Sequence, residues 1–146
     1  MSSKSKVCFF FKNTKFCLTK RFLLKEFVQY VFKNEGKKLE SINYIFCTDN
    51  ALLGINQKYL KHDFYTDVIT FDLSNEDKIF AEIYISIDRV RENAKNLGVS
   101  FSSEIHRIIL HGVLHLCGYK DKTKSEKDKI RSKEDFYLNK YISKIT

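Results

Sequence analysis

Nine residues, Ile108 to Leu116, constrain the fold more than any other stretch. Ile108, Ile109, Leu110, Val113, Leu114 and Leu116 are apolar, and only His111, Gly112 and His115 interrupt them. A helix that is apolar on nearly every side has no face to give to water, so it is buried under other elements. Two imidazoles on such a helix need partners, because an unpaired polar group in a core is costly. The chain of 146 residues is long enough to build one compact domain around this helix, and we read residues 1–146 as that single domain.

The remaining elements follow from periodicity. Val7 to Cys17 is strand-like, with apolar residues on both sides of Lys12-Asn13-Thr14. Thr19 is placed to cap a helix reaching Asn34, and Gly36 stops it. Ser41 to Cys47 reads as a strand and Asp49 to Leu60 as a helix. Val68–Leu73 and Ile79–Ser86 form a β-hairpin about the turn 74–77. Ile87 to Leu97 is a helix ended by Gly98. Ser102 or Ser103 caps the apolar helix, and Gly118 stops it after Cys117. Thr123 and Glu126 have the spacing of a capping box. They open a last helix to Ile142, with Ile130, Phe136, Tyr137 and Tyr141 toward the core. Strands crowd the first half and helices the second, which predicts an α+β domain: a small mixed sheet covered by helices.

Composition removes several classes. There is no Pro and there are only 5 Gly, so collagen-like and linker-rich architectures are excluded. No run approaches the roughly 18 apolar residues that cross a bilayer, and Val7–Phe11 is too short for a signal-peptide core. Cys8, Cys17, Cys47 and Cys117 match neither a zinc-knuckle nor a redox-pair spacing, so reduced thiols and a cytoplasmic location are expected. The formal charge of +8 is compatible with a polyanionic partner and also with a plain Lys-rich surface.

The chemistry sits in His111-Gly-Val-Leu-His115-Leu-Cys-Gly118-Tyr-Lys-Asp121. Histidines at i, i+4 project from one helix face and can share one metal ion. Gly118 ends the helix, and the returning chain can bring Asp121 to the same ion as a third ligand. Three protein ligands leave a fourth position open, as in catalytic zinc sites. The alternative is a pair of core histidines bonded to backbone carbonyls. The spacing is that of H-E-x-x-H-x-x-G-x-x-H, with Gly112 in place of the Glu base and Asp121 in place of the third His. The first change argues against peptide hydrolysis.

Three segments together resemble the YbeY-type endoribonucleases, the rRNA maturation factors of bacteria. The first is His111 to Asp121. The second is Asn56-x-x-Tyr59-Leu60-Lys61-His62-Asp63-x-x-Thr66-Asp67-Val68-Ile69-Thr70-Phe71, similar to the family's N-x-x-Y…D-x-x-T-D-V-L-S-F stretch. The third is Ala81-Glu82-Ile83-Tyr84-Ile85-Ser86, similar to its G-D-I-x-I-S strand. The resemblance covers about Ser41 to Asp135. It implies a zincin-like domain with one Zn²⁺ per chain held by His111, His115 and Asp121, which are then also the catalytic set. It implies cleavage of single-stranded regions of an rRNA precursor, in rRNA processing, ribosome biogenesis and ribosome quality control. The ribosomal small subunit or its assembly factors are the implied partners.

This chain departs from the family at three places. Asp121 stands where most members carry His, Leu60 where many carry Arg, and Ala81-Glu82 where they carry Gly-Asp. Lys58 or Lys61 would then take over the phosphate contact of that Arg. Lys120 and Lys122 flank Asp121 and would also attract phosphate. Asp67 is expected as a carboxylate supporting the site, and the base role falls to bound hydroxide itself or to a carboxylate such as Asp67 or Glu82. His106 is expected to be solvated or structural, His62 to lie in a surface loop, and Tyr119 to pack on the motif helix. Two other readings stay open: a metalloprotease, and a non-catalytic RNA-binding assembly factor whose metal is structural.

Overall fold

The computed structural model describes residues 5–146. It shows β1 (Val7–Phe11), α1 (Arg21–Asn34), β2 (Lys38–Cys47), α2 (Asp49–Leu60), β3 (Val68–Asp72) and β4 (Lys78–Ser86). Three helices follow, α3 (Ile87–Leu97), α4 (Phe101–Leu116) and α5 (Lys124–Ile145). The four strands form one mixed sheet in the order β1-β2-β4-β3. β1, β2 and β4 run parallel, and β3 is the antiparallel edge. The α+β expectation is therefore met.

The sheet uses its two faces differently because side chains alternate along each strand. Tyr44, Phe46, Ile83 and Ile85 are completely buried in the main core with α1, α4 and α5. Tyr44 donates from its hydroxyl to the Ile109 carbonyl of α4 at 3.2 Å, pinning sheet to helix. The opposite face carries a small cluster of Cys47, Leu52 and Ile69, with Phe71 and Tyr84 against it, under α2 alone. Helix α4 is the hub: Ile105, Ile108, Ile109, Leu110, Val113 and Leu114 are all buried. A Cβ at Gly112 would stand 2.5 Å from Ile83 Cδ1, so the absent side chain lets α4 close onto the sheet.

Several boundaries differ from the pattern reading. β1 stops at Phe11, because Asn13 turns to a left-handed φ of 52°. The α1 N-cap is Lys20, itself left-handed and without a side-chain cap, so Thr19 does not cap the helix. β2 begins earlier, at Lys38. α4 begins earlier too: Ser100 caps it by accepting from Ser103 N at 3.0 Å, which puts Ser102 and Ser103 inside the first turn. The Thr123–Glu126 capping box is present, and α5 continues to Ile145. Phe136 is 51% exposed, contrary to expectation. The buried stripe of α5 is Ile130, Glu134, Tyr137, Leu138 and Tyr141, and position 136 falls outside it.

The end of α1 is tied to the rest of the molecule through Glu35. Its carboxylate accepts from the Tyr119 hydroxyl at 2.7 Å and from the Tyr137 hydroxyl, with Lys133 Nζ at 3.7 Å. Burial alone pushes this carboxyl up, but the two phenols and the Lys133 charge outweigh it and hold the group below its usual 4.5. A depressed carboxyl stabilises the fold above its unfolded pKa, and that contribution fades as pH falls through the folded value. Denaturation midpoints followed from pH 6 downward are expected to drop on passing below about 4.5. Glu35→Gln is expected to flatten that part of the curve, and an unchanged acid limb would contradict the assignment.

Candidate metal centre

The motif helix ends where its sequence says it should. Cys117 closes α4, and Gly118 takes φ 104°, a conformation that strains any residue with a Cβ. Gly118 N donates to the His115 carbonyl and Tyr119 N to that of Leu114, both at 3.0 Å, so these two carbonyls of the last turn are satisfied. The reversed chain carries Asp121 back over the helix end.

His111, His115 and Asp121 converge on one point. The two Nε2 atoms are 2.9 Å apart, and Asp121 Oδ2 lies 3.2 Å from His115 Nε2 and 3.5 Å from His111 Nε2. A tetrahedral ion with ligands at about 2.05 Å separates its donor atoms by roughly 3.3 Å, so these spacings fit. The hydrogen bonds at the other ring nitrogens agree. His111 Nδ1 faces Oε2 of Glu134 on α5, and His115 Nδ1 lies 2.9 Å from the Tyr119 carbonyl. Both partners accept hydrogen bonds, which puts the ring proton on Nδ1 and leaves Nε2 with a lone pair. Two such lone pairs and a carboxylate oxygen then meet with no protein donor between them. A cation would satisfy this donor set.

Glu134 and its neighbours were not legible as site residues in the sequence. Glu134 is 1% exposed. Its Oε1 accepts from Arg107 Nη1 at 2.9 Å, and Arg107 also binds both oxygens of Glu104, which is 1% exposed as well. Burial raises the Glu134 carboxyl, and the His111 hydrogen bond and the Arg107 charge together bring it below its usual value. A signal was there: Glu134 sits in the buried stripe between Ile130 and Tyr137, where an unpaired charge has no place.

His111, His115 and Asp121 open onto a cleft of about 450 Å³ along the β3 edge, with Thr66, Asp67, Thr70 and Asp72 on its walls. Asp67 Oδ2 accepts from Asn93 Nδ2 at 3.1 Å. The other expected residues lie elsewhere. Glu82 and Tyr84 are on the α2 face of the sheet, opposite the Ile83 that meets α4, so Glu82 does not reach the ligands. Lys58 lies on α2, with Nζ 5.3 Å from the Tyr59 ring centroid, and Lys61 is the left-handed cap of that helix; neither lines the cleft. Lys120 lines a separate groove with Glu35, Tyr119 and Lys129. Lys122 is exposed, and its backbone N donates to Glu126. His106 is buried against Tyr141 at 5.0 Å, so its role is structural. His62 is an exposed loop residue stacked on Phe64, and Tyr119 packs as expected. The cysteines are unpaired, and burial pushes the thiols of Cys47 and Cys117 up to about 11 and about 12.

Comparison with known proteins places this arrangement. The family model described as endoribonuclease YbeY matches residues 11–142, which include His111, His115, Asp121 and Glu134. The endoribonuclease YbeY of Flavobacterium psychrophilum is 56% identical over 108 residues, covering 74% of this chain and 77% of that protein. That of Cytophaga hutchinsonii is 45% identical over 138 residues, 93% and 96% of the two chains. The solution structure of TM1509 from Thermotoga maritima superposes with a TM-score of 0.67 at 26% identity, covering 94% of this chain and 90% of that one. A match of this extent, with identity at this level across nearly the whole length of a relative, settles the family: the chain belongs to the endoribonuclease YbeY family.

Proposed function

We propose that the chain is a zinc-dependent endoribonuclease that cuts single-stranded regions of an rRNA precursor in the cytoplasm, in contact with the ribosomal small subunit or its assembly factors. The observation that carries the metal dependence is the convergence of His111 Nε2, His115 Nε2 and Asp121 Oδ2. Two imidazole nitrogens and a carboxylate oxygen at tetrahedral spacing suit one Zn²⁺ per chain and leave an open position. No helix among the described residues is long and apolar enough to cross a membrane.

The bound ion supplies Lewis acidity beside the scissile phosphodiester and lowers the pKa of water there. The chain's own residues do the rest. Glu134 and the Tyr119 carbonyl hold the two rings in the tautomer that turns Nε2 outward. Asp67, on the cleft wall, has Oδ2 held by Asn93, which leaves Oδ1 to take the proton of the attacking hydroxyl. Lys58, Lys61, Lys120 and Lys122 belong to the outer electrostatic field that draws RNA in.

The reading is tested by RNA cleavage before and after chelation. Activity is expected to vanish with the chelator and to return with added zinc. Cleavage that survives complete metal removal would overturn it. The metalloprotease reading has its own obstacle: position 112 faces Ile83 and the core. Gly112→Glu, which writes the protease pattern into the chain, is expected to cost more than about 3 kcal/mol in urea unfolding, through overpacking and a buried charge. Native stability after that substitution would remove the objection.

A further inference from the structure

Half of the formal charge of +8 is concentrated in residues 120–133, immediately after the metal motif. That segment holds seven Lys and Arg against Asp121, Glu126 and Asp128. Two of the three carboxylates are engaged, Asp121 with the histidines and Glu126 in the capping box. Cations also crowd the first turns of α5, where the helix dipole disfavours them. Helix stability does not account for that placement.

The helix sorts these cations onto two sides. Lys129 joins Lys120 in the groove away from the ligands, with its Nζ 5.8 Å from the Tyr119 ring centroid. Lys127 and Arg131 line a different groove of about 350 Å³ between α4 and α5, and His111 and Asp121 line it too. The same two ligands border the β3-side cleft, so the two depressions meet at the metal centre. Lys127 and Arg131 are i, i+4 and stand about 6 Å apart along the helix. Arg131 is 49% exposed on its side chain, and its one ion-pair contact among the described residues is the 3.6 Å approach to Glu134. Lys127 makes no ion pair among the described residues. Below them, Arg107 and Glu134 are occupied with each other, Glu104 and His111. Asp128 is the carboxylate left over in the groove.

We propose that Lys127 and Arg131 form a phosphate-binding track for single-stranded RNA, seating the backbone on the α5 side of the metal centre while the β3-side cleft takes the other side of the cut. The proposal rests on the endoribonuclease reading and adds the substrate contacts that Lys58, Lys61, Lys120 and Lys122 do not supply at the ligands. Only phosphates are read by such a track, so it confers no base preference.

The test is equilibrium binding of a fluorescent single-stranded 2′-O-methyl oligonucleotide to metal-loaded protein across a salt series. Each phosphate contact on a single strand contributes about −0.7 to the slope of log K against log salt. The double variant Lys127→Gln with Arg131→Gln is expected to make the slope less negative by about 1.4 and to weaken binding about 25-fold at 0.1 M salt. Its metal content and melting temperature are expected to match the native protein. Lys140→Gln with Lys144→Gln, at the far end of the helix against Tyr30, is expected to leave the slope unchanged. A native slope in the 127/131 variant, or equal losses in both variants, would overturn the track while leaving a protein that still cuts RNA. Absence of both RNA binding and RNA cleavage in the native protein would instead overturn the endoribonuclease reading on which it rests.

Discussion

His115→Ala is expected to lower RNA cleavage by on the order of a thousandfold while the protein stays folded. On the proposed three-ligand site, losing one ligand would release the ion, and with it the several kcal/mol of charge stabilisation that a metal provides at a phosphoryl oxygen. The fold should tolerate the change because His115 sits at the open end of α4, with 29% of its side chain exposed. Its other contact, at the Tyr119 carbonyl, joins a turn already held by Gly118 and by the Glu35–Tyr119 hydrogen bond. Cleavage assayed beside circular dichroism separates the two effects. A variant that is folded, metal-free and still active would contradict the mechanism.

Glu134→Ala is the second large effect, and it has two components. Glu134 accepts the His111 Nδ1 proton, and removing such a partner of a metal-binding histidine commonly weakens metal affinity by 10- to 100-fold. It also neutralises part of the half-buried Arg107 charge, and deleting one member of a buried ion pair costs about 3–5 kcal/mol. Arg107 keeps Glu104, so the low end, about 3 kcal/mol, is expected here. Glu134→Gln separates the components, because the amide oxygen still accepts from His111 while Arg107 loses one of its two carboxylate partners. That variant should keep metal affinity closer to native than Glu134→Ala while losing comparable stability. Chelator competition and urea unfolding read the two quantities independently. Equal metal affinity in all three proteins would mean that Glu134 is a purely structural anchor.

The convergence of His111, His115 and Asp121 was legible in the sequence because its logic is local. Two histidines one helical turn apart and a glycine that lets the chain reverse put Asp121 over the helix end without help from distant residues. The extents of α2 and α3 were legible for the same reason, since Thr48 and Ser86 cap their own helices. What escaped was set by tertiary contact. Glu134 lies 23 residues from His111, and only the packing of α5 on α4 joins them. Phe136 reads as a core residue by hydrophobicity alone, yet Glu134 takes the inward position because His111 and Arg107 await it there. Glu82 lies away from the histidines because strand alternation turns it to the face that Tyr84 shares with α2. The start of α1 was missed because Lys20 adopts a left-handed cap, with its Nζ donating to the Ile145 carbonyl at the far end of the chain.

The central claim is that three side chains, one of them an aspartate, hold a single metal ion. Elemental mass spectrometry of the purified protein beside Asp121→Ala tests it most directly. About one zinc per native chain, with loss in the variant, is the predicted result. Metal fully retained without Asp121 would place the third ligand elsewhere. Absence of metal from native protein prepared without chelators would contradict the site altogether.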